Sequence, residues 1–528
     1  VSAPEGSELV QVERLTVPGL MPPANPSVHN PGDSGPYETP PELAQVPYLR
    51  YHYRESQRPV EAIVLCMPGF AGGAGSFDYF ARHLVTFGAG RLEVWALDRR
   101  SNLLEDHFGA DMAENAGDFQ VGIDYYYEGV ALAGQTFPGF LSDGDLPFLS
   151  EWGLYLTLTD LQAVVQKIPL EQRNQVLFLA GHSLGGTIVQ LYAAMDFDKE
   201  PSTLGDAGFQ QLAGLILLDG GNDPGSADTQ EDYERQVEKI RLHGRYTSFP
   251  GLTPTVHALL ELFGIMAVHE PTAEAPMEQL LSLPGVDSPI IRSLFGSARY
   301  THRAALGVTL DDNFQPLYVE QASVGFLTGG PVNSNERNGK TSYNAADTSG
   351  QVLYGWDTYK AAELPVPDPQ REEVTDIDDL AYSLYLGPAN FSEWYFPARL
   401  SADLGPVGDF QVNGADDWRA KLYDLWIVHN RQVDIPVIGF FGGENDALET
   451  SKLAGYQASI APYLRDGSAR GAANFEMQTC GGYEHLDVLL ADAGNSNRPN
   501  LILTRLKTWL AEKGLLGSGR GIDPQQLK

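Results

Sequence analysis

The sequence predicts an α/β fold, in which a mainly parallel sheet is covered by helices on both faces and carries one large insertion. Three observations lead there. Short apolar runs alternate with amphipathic segments as far as residue 221, the pattern of successive strand–helix units with strands buried on both sides. The alternation stops between Asn222 and Asp434. It then resumes for two strand-like runs and a closing helix. A structureless connection of that length is foreign to a compact domain, so the interruption reads as an inserted cap.

Taken in order, Leu9 to Val17 is strand-like and is followed by an irregular Pro/Gly/Asn-rich stretch from Pro18 to Pro47. Tyr48 to Tyr53 carries an alternating strand signal, and Val60 to Met67 is a continuous apolar run that reads as a buried parallel strand. The turn after it, Pro68-Gly69-Phe70-Ala71-Gly72-Gly73, has too many glycines to start an ordinary helix. Phe77 to Phe87 is an amphipathic helix, Leu92 to Leu97 a strand, and residues 102–150 an elaborated loop region with short helices. Leu158 to Ile168 is helical, Gln175 to Ala180 a strand, Leu184 to Met195 a helix, and Leu212 to Leu218 a sixth strand ending in Asp219-Gly220-Gly221. Within the insertion, Val256 to Val268 is helical and Gly329 to Gly350 is loop-like. Ile435 to Phe441 and Asn474 to Thr479 are the last strands, Pro499 to Lys513 is the last helix, and Gly514 to Lys528 reads as a frayed tail. The expected organisation is a first core segment, 1–221, a cap, 222–434, and a second core segment, 435–528.

Composition narrows the function. With 35 basic and 69 acidic residues the formal charge is −34, a field that repels phosphate backbones and anionic headgroups, so no nucleic-acid partner is expected. Solubility alone accounts for such a surface. No run approaches the roughly 20 apolar residues needed to cross a bilayer. Cys66 lies in an apolar run and Cys480 before a Gly-Gly turn, so Cys66 reads as a buried free thiol and the pair as no disulfide framework. The opening Val1-Ser2-Ala3-Pro4-Glu5 fits a mature exported protein or a shortened chain, and secretion or periplasmic export is the corresponding expectation.

The chemistry is carried by Gly181-His182-Ser183-Leu184-Gly185, a G-x-S-x-G motif set between a strand and a helix. A serine there stands on a turn so tight that side chains two residues to either side would clash, which lifts its Oγ clear of the sheet. Serine needs a base, expected after the last strand, and His485 in Gly481-Gly482-Tyr483-Glu484-His485 occupies that place. His182, next to the nucleophile, is expected to point away from it. The acid that orients the histidine is expected after the seventh strand, at Asp446 in Gly442-Gly443-Glu444-Asn445-Asp446; Glu444 and Asp219 are the competitors. Backbone N–H groups of Leu184 and Phe70 are the expected oxyanion donors. Trp394, Tyr395 and Phe396, within the insertion, are the expected substrate-binding surface or, equally, the core of the cap. There is no His-Glu-x-x-His, paired Cys-x-x-Cys or EF-hand loop, and Asp376-Ile377-Asp378-Asp379 reads as a solvated acidic loop; no metal or cofactor is expected.

Across residues 45–221 and 435–513 these motifs resemble the α/β-hydrolase superfamily, and the segments holding Asp446 and His485 look like those of acid-lipase relatives. Pro68-Gly69 departs from the usual His-Gly of the oxyanion turn, and the cap is larger. The resemblance implies an α/β-hydrolase fold and the serine-triad mechanism and says little about substrate; the leading expectation is a serine hydrolase that cleaves carboxylic esters through an acyl-enzyme. The same triad would serve a peptidase or amidase. A non-catalytic binding protein on this fold would be expected to lack a triad member, and none is missing.

Overall fold

A computed structural model of the chain describes residues 6–22, 37–248, 252–337, 340–347, 349–358, 373–386, 389–442, 446–460, 474–494, 499–515 and 521–527. Its centre is an eight-stranded sheet whose strands, in chain order, are β1 (Val10–Pro18), β2 (Gln45–Tyr53), β3 (Ala62–Met67), β4 (Leu92–Leu97), β5 (Leu177–His182), β6 (Gly214–Leu218), β7 (Val437–Gly442) and β8 (Phe475–Cys480). Their spatial order is β1-β2-β4-β3-β5-β6-β7-β8. β1 pairs with β2, and β2 with β4, antiparallel; the other neighbours are parallel.

Every residue of β3 and β5 is buried, and the side chains alternate between two apolar layers. Val64, Cys66, Phe178 and Ala180 face one layer; Ile63, Leu65, Leu177 and Leu179 face the other. That two-sided burial is why these strands read as unbroken apolar runs. Both cysteines are buried.

The insertion leaves the sheet after β6 and returns at β7, and it divides between the layers. Residues of its middle, from Ala258 to Tyr395, join one layer together with Ala110, Ile123, Tyr125 and Tyr126 of the region after β4. The helix Pro254–His269 is the spine of this mass, packed against Ile377–Leu384 and His302–Leu310. The two ends of the insertion belong to the opposite layer. There Tyr233 and Val237 of the helix Gln230–Leu242 meet Phe396, Leu400 and Val407, and Ile427 bridges to Met195 beside the helix that follows β5. The insertion 222–434 thus packs into both layers, its middle together with the region after β4.

The end of the chain also differs from the frayed tail expected. Ile522 and Val60 exchange both backbone hydrogen bonds, at 2.8 and 2.9 Å, and Arg50 donates to the Leu527 carbonyl at 3.2 Å. Ile522 and Leu527 are buried. Two apolar residues among polar ones suffice to dock a short tail, which a composition-based reading of the segment overlooks.

Candidate active site

Ser183 stands at the carboxyl end of β5 with φ 53° and ψ −124°, and the helix Leu184–Ala194 begins at the next residue. Such a backbone costs of order 1–3 kcal/mol and persists only where its surroundings enforce it. Here they do. A Cβ on Gly181 would lie 2.2 Å from the Gly185 carbonyl oxygen, and one on Gly185 would lie 2.1 Å from the Met67 carbonyl oxygen. The tight turn predicted around Ser183 is present, and the first N–H groups of the helix, which have no intrahelical acceptor, lie at its foot.

His485 follows β8 on the expected loop. Its Nδ1 lies 2.5 Å from Oδ2 of Asp219. Among the described residues, the acid that faces the histidine is thus Asp219, at the end of β6, one of the competitors to Asp446. Asp219 has a positive φ of 43°, and its N–H donates to the Phe440 carbonyl at 2.8 Å. That bend turns the side chain toward β7, where Oδ1 accepts the Gly442 N–H at 3.0 Å and Oδ2 accepts the Tyr318 hydroxyl at 2.7 Å. Asp446 opens the helix Asp446–Ile460, and its side chain, like Glu444, lies outside the described residues. Burial pushes the Asp219 carboxyl up, but the bonds from His485, Gly442 and Tyr318 outweigh it and hold the group below the usual carboxylate range.

His182 does not turn its back on the site. Its Nε2–H donates to the His485 carbonyl at 3.0 Å, and the two rings lie 4.6 Å apart. Burial, then the neighbouring His485, lowers its pKa to about 3, so it is a neutral donor supporting the histidine loop.

Ser183, His182 and His485 line one cavity of about 600 Å³, measured out to its open mouth. The turn Gly69–Gly72 forms one wall, packed so closely that a Cβ on Gly69 would lie 2.8 Å from the Ser183 Cβ. Leu184 and Phe70 therefore both border Ser183. The turn is held by Arg99, which donates to the carbonyls of Pro68, Gly69 and Gly72 at 2.9, 2.6 and 3.0 Å and to Glu393 at 2.6 Å. Glu393 is fully buried, and its N–H bonds the Ala71 carbonyl at 2.8 Å, so the insertion closes the turn from above.

The insertion contributes Leu252, Leu260, Leu310, Val319 and Phe391 to the wall, with three polar members, His257, Glu320 and Ser392. Burial lowers the His257 pKa to about 4 and pushes the Glu320 carboxyl up to about 8. Trp394, Tyr395 and Phe396 are not among the lining residues. All three are at most 2% exposed. Trp394 Nε1–H donates to Glu261 at 3.2 Å, and its backbone N–H donates to Glu105 at 2.7 Å. The Tyr395 hydroxyl accepts from the Leu141 N–H at 2.9 Å, and Phe396 packs on Phe70 at 4.7 Å. Trp394 and Tyr395 thus tie the insertion to the region after β4 and Phe396 packs on the Gly69–Gly72 turn, an arrangement of the kind the packing alternative of their sequence reading describes.

A family model described as alpha/beta hydrolase matches residues 63–327, half of the chain. The chain belongs to the alpha/beta hydrolase family. Among solved structures, this hydrolase is similar to a candidate lipase from Sulfolobus solfataricus, with 15% identity over 96% of this chain and 95% of that one and a TM-score of 0.45. It is also similar to a peroxisomal alpha-beta-hydrolase from Saccharomyces cerevisiae (11% identity, 96% and 89% coverage, TM-score 0.35). A thermophilic esterase from Thermogutta terrifontis is a third (12%, 95% and 99%, 0.34). Likeness at this level is no guide to substrate. No curated protein matches the chain in sequence. Among the described residues, no helix is long and apolar enough to cross a membrane.

Proposed function

We propose that this hydrolase cleaves carboxylic esters with Ser183 as nucleophile, His485 as general base and acid, and Asp219 as the group that orients the histidine. The observation that carries the reading is the meeting of a strained serine and a carboxylate-bound histidine on the wall of one cavity. With its Nδ1–H given to Asp219, His485 presents Nε2 as the base. It takes the Ser183 proton as Oγ attacks the ester carbonyl, and the developing oxyanion is received by the N–H of Leu184 and, from the Gly69–Gly72 turn, that of Phe70. The imidazolium, stabilised by Asp219, returns the proton to the leaving alkoxide. Water then attacks the acyl-enzyme by the same route in reverse.

The five apolar residues that the insertion places on the wall favour an apolar acyl or alcohol group. The test is turnover of a series of p-nitrophenyl esters beside aminoacyl anilides, by the wild type and by Ser183→Ala. Ester turnover that falls by several orders of magnitude in the variant supports the reading. An unchanged ester rate refutes it, and faster anilide turnover moves the protein to the peptidases.

A further inference from the structure

We propose that Tyr318, supplied by the insertion, is a positioning residue for the Asp219–His485 pair, so that the insertion completes the catalytic framework as well as walling the cavity. The proposal rests on the roles given above to Ser183, His485 and Asp219.

Tyr318 opens the 3₁₀ turn Tyr318–Glu320. Its hydroxyl donates at 2.7 Å to Asp219 Oδ2, the same oxygen that faces His485 Nδ1 at 2.5 Å; the Gly442 carbonyl, at 3.3 Å, is a second and longer acceptor for that proton. The phenol ring also lies against the imidazole, with centroids 5.0 Å apart and planes at 45°. One side chain thus fixes the carboxylate's orientation and restricts the histidine ring.

The segment that follows pins the loop carrying His485. The Gln321 carbonyl accepts the Leu486 N–H at 2.9 Å, and the Ser323 N–H donates to both Asp487 oxygens at 3.1 and 3.0 Å. The Thr375 hydroxyl, also from the insertion, donates to Asp487 at 2.5 Å. Tyr318 itself is not one of the cavity-lining residues, although Val319 and Glu320 beside it are. Its contacts are with the catalytic groups and not with the space a substrate would fill.

Removing the hydroxyl changes the chemistry in a definite direction. Asp219 would share its charge with one donor fewer and attract the imidazolium more strongly, so the histidine would hold its proton to higher pH. Among the described residues, the other titratable groups near the imidazole are the neutral His182 ring, with centroids 4.6 Å apart, and Glu320 on the same cavity wall; Glu484 and Asp487 are its neighbours in the loop. Loss of orientation would lower the rate as well.

The experiment is Tyr318→Phe, assayed on a short p-nitrophenyl ester for kcat, KM and the pH dependence of kcat/KM, with a melting curve. The expected result is a kcat lower by about 5- to 20-fold, an unchanged KM, and an acid limb moved to higher pH by about half a unit. A folded variant with wild-type kcat and acid limb overturns the proposal. So does a loss of rate with an unmoved acid limb and a lower melting temperature, the mark of a merely structural role. If the Phe variant does not fold, 3-fluorotyrosine at 318, a stronger donor of nearly the same shape, takes its place. The acid limb should then move to lower pH, and an unmoved limb overturns the proposal. Ser183→Ala on the same ester separates the two readings: activity surviving there removes the nucleophile assignment, whatever Tyr318 does.

Discussion

Asp219→Asn keeps the volume of the side chain and removes its charge. Asp219 is 4% exposed and accepts three hydrogen bonds, from Gly442 on one oxygen and from His485 and Tyr318 on the other. A carboxamide has one oxygen to offer. If it faces His485 and Tyr318, the NH2 is set against the Gly442 N–H, and a neutral group is left to stabilise the imidazolium. If it faces Gly442, the NH2 meets Nδ1, and the ring must carry its proton on Nε2, where it cannot act as base toward Ser183. Either arrangement should lower kcat by three to four orders of magnitude, about 4–5.5 kcal/mol of transition-state stabilisation. The mismatched buried donor should cost about 1–3 kcal/mol of stability, which leaves the protein folded. Initial rates on a p-nitrophenyl ester, with a melting curve for each variant, measure both, and Asp446→Asn serves as the control with near wild-type turnover. If Asp219→Asn kept a tenth or more of the activity, or Asp446→Asn fell as far, the assignment of the acid would be wrong.

Two further outcomes follow from the cavity and its surroundings. Trp394→Ala should destabilise the fold by about 3–5 kcal/mol, seen as a melting temperature lower by several degrees, because a buried indole and its bond to Glu261 are lost. The ratio of KM values for long and short esters should stay the same; a selective rise for bulky esters at unchanged stability would put Trp394 back on the substrate. Glu320 is raised to about 8 by burial, so it is neutral below that pH and ionises as the pH rises through it. KM for apolar esters should therefore increase on the alkaline side of about pH 8 in the wild type and stay level in Glu320→Gln. Parallel profiles for the two proteins would show that this carboxyl does not touch the substrate.

The parts of the account legible in the sequence are those in which local chain chemistry and tertiary role coincide. β3 and β5 have to be continuous apolar runs because both faces are covered, and Gly181 and Gly185 have to be glycine because backbone oxygens sit where a Cβ would go. The acid is different. Asp219 and Asp446 both lie just beyond an apolar strand in a glycine-containing segment, and the sequence there suits either to the role. The choice falls to the positive φ at Asp219 and its bond to Gly442, which exist only once β6 and β7 are side by side. Trp394-Tyr395-Phe396 offered two readings for a similar reason, since a large aromatic side chain suits a binding wall and a core equally, and only its neighbours decide. Tyr318 has no local signature: its role arises from a 3₁₀ turn placed 99 residues from Asp219 in the chain. The division of the insertion between two layers also depends on long-range pairing, such as that of Met195 with Ile427.

The central claim is that Ser183 is the nucleophile, and covalent capture tests it most directly. The wild-type protein would be treated with an alkyl fluorophosphonate, the label located by peptide mass mapping, and residual esterase activity followed on the same samples. The account predicts one label per chain, on Ser183, with activity falling in step with labelling and no incorporation in Ser183→Ala. Full activity in a protein quantitatively labelled at Ser183, or inactivation with the label on another residue, would contradict it.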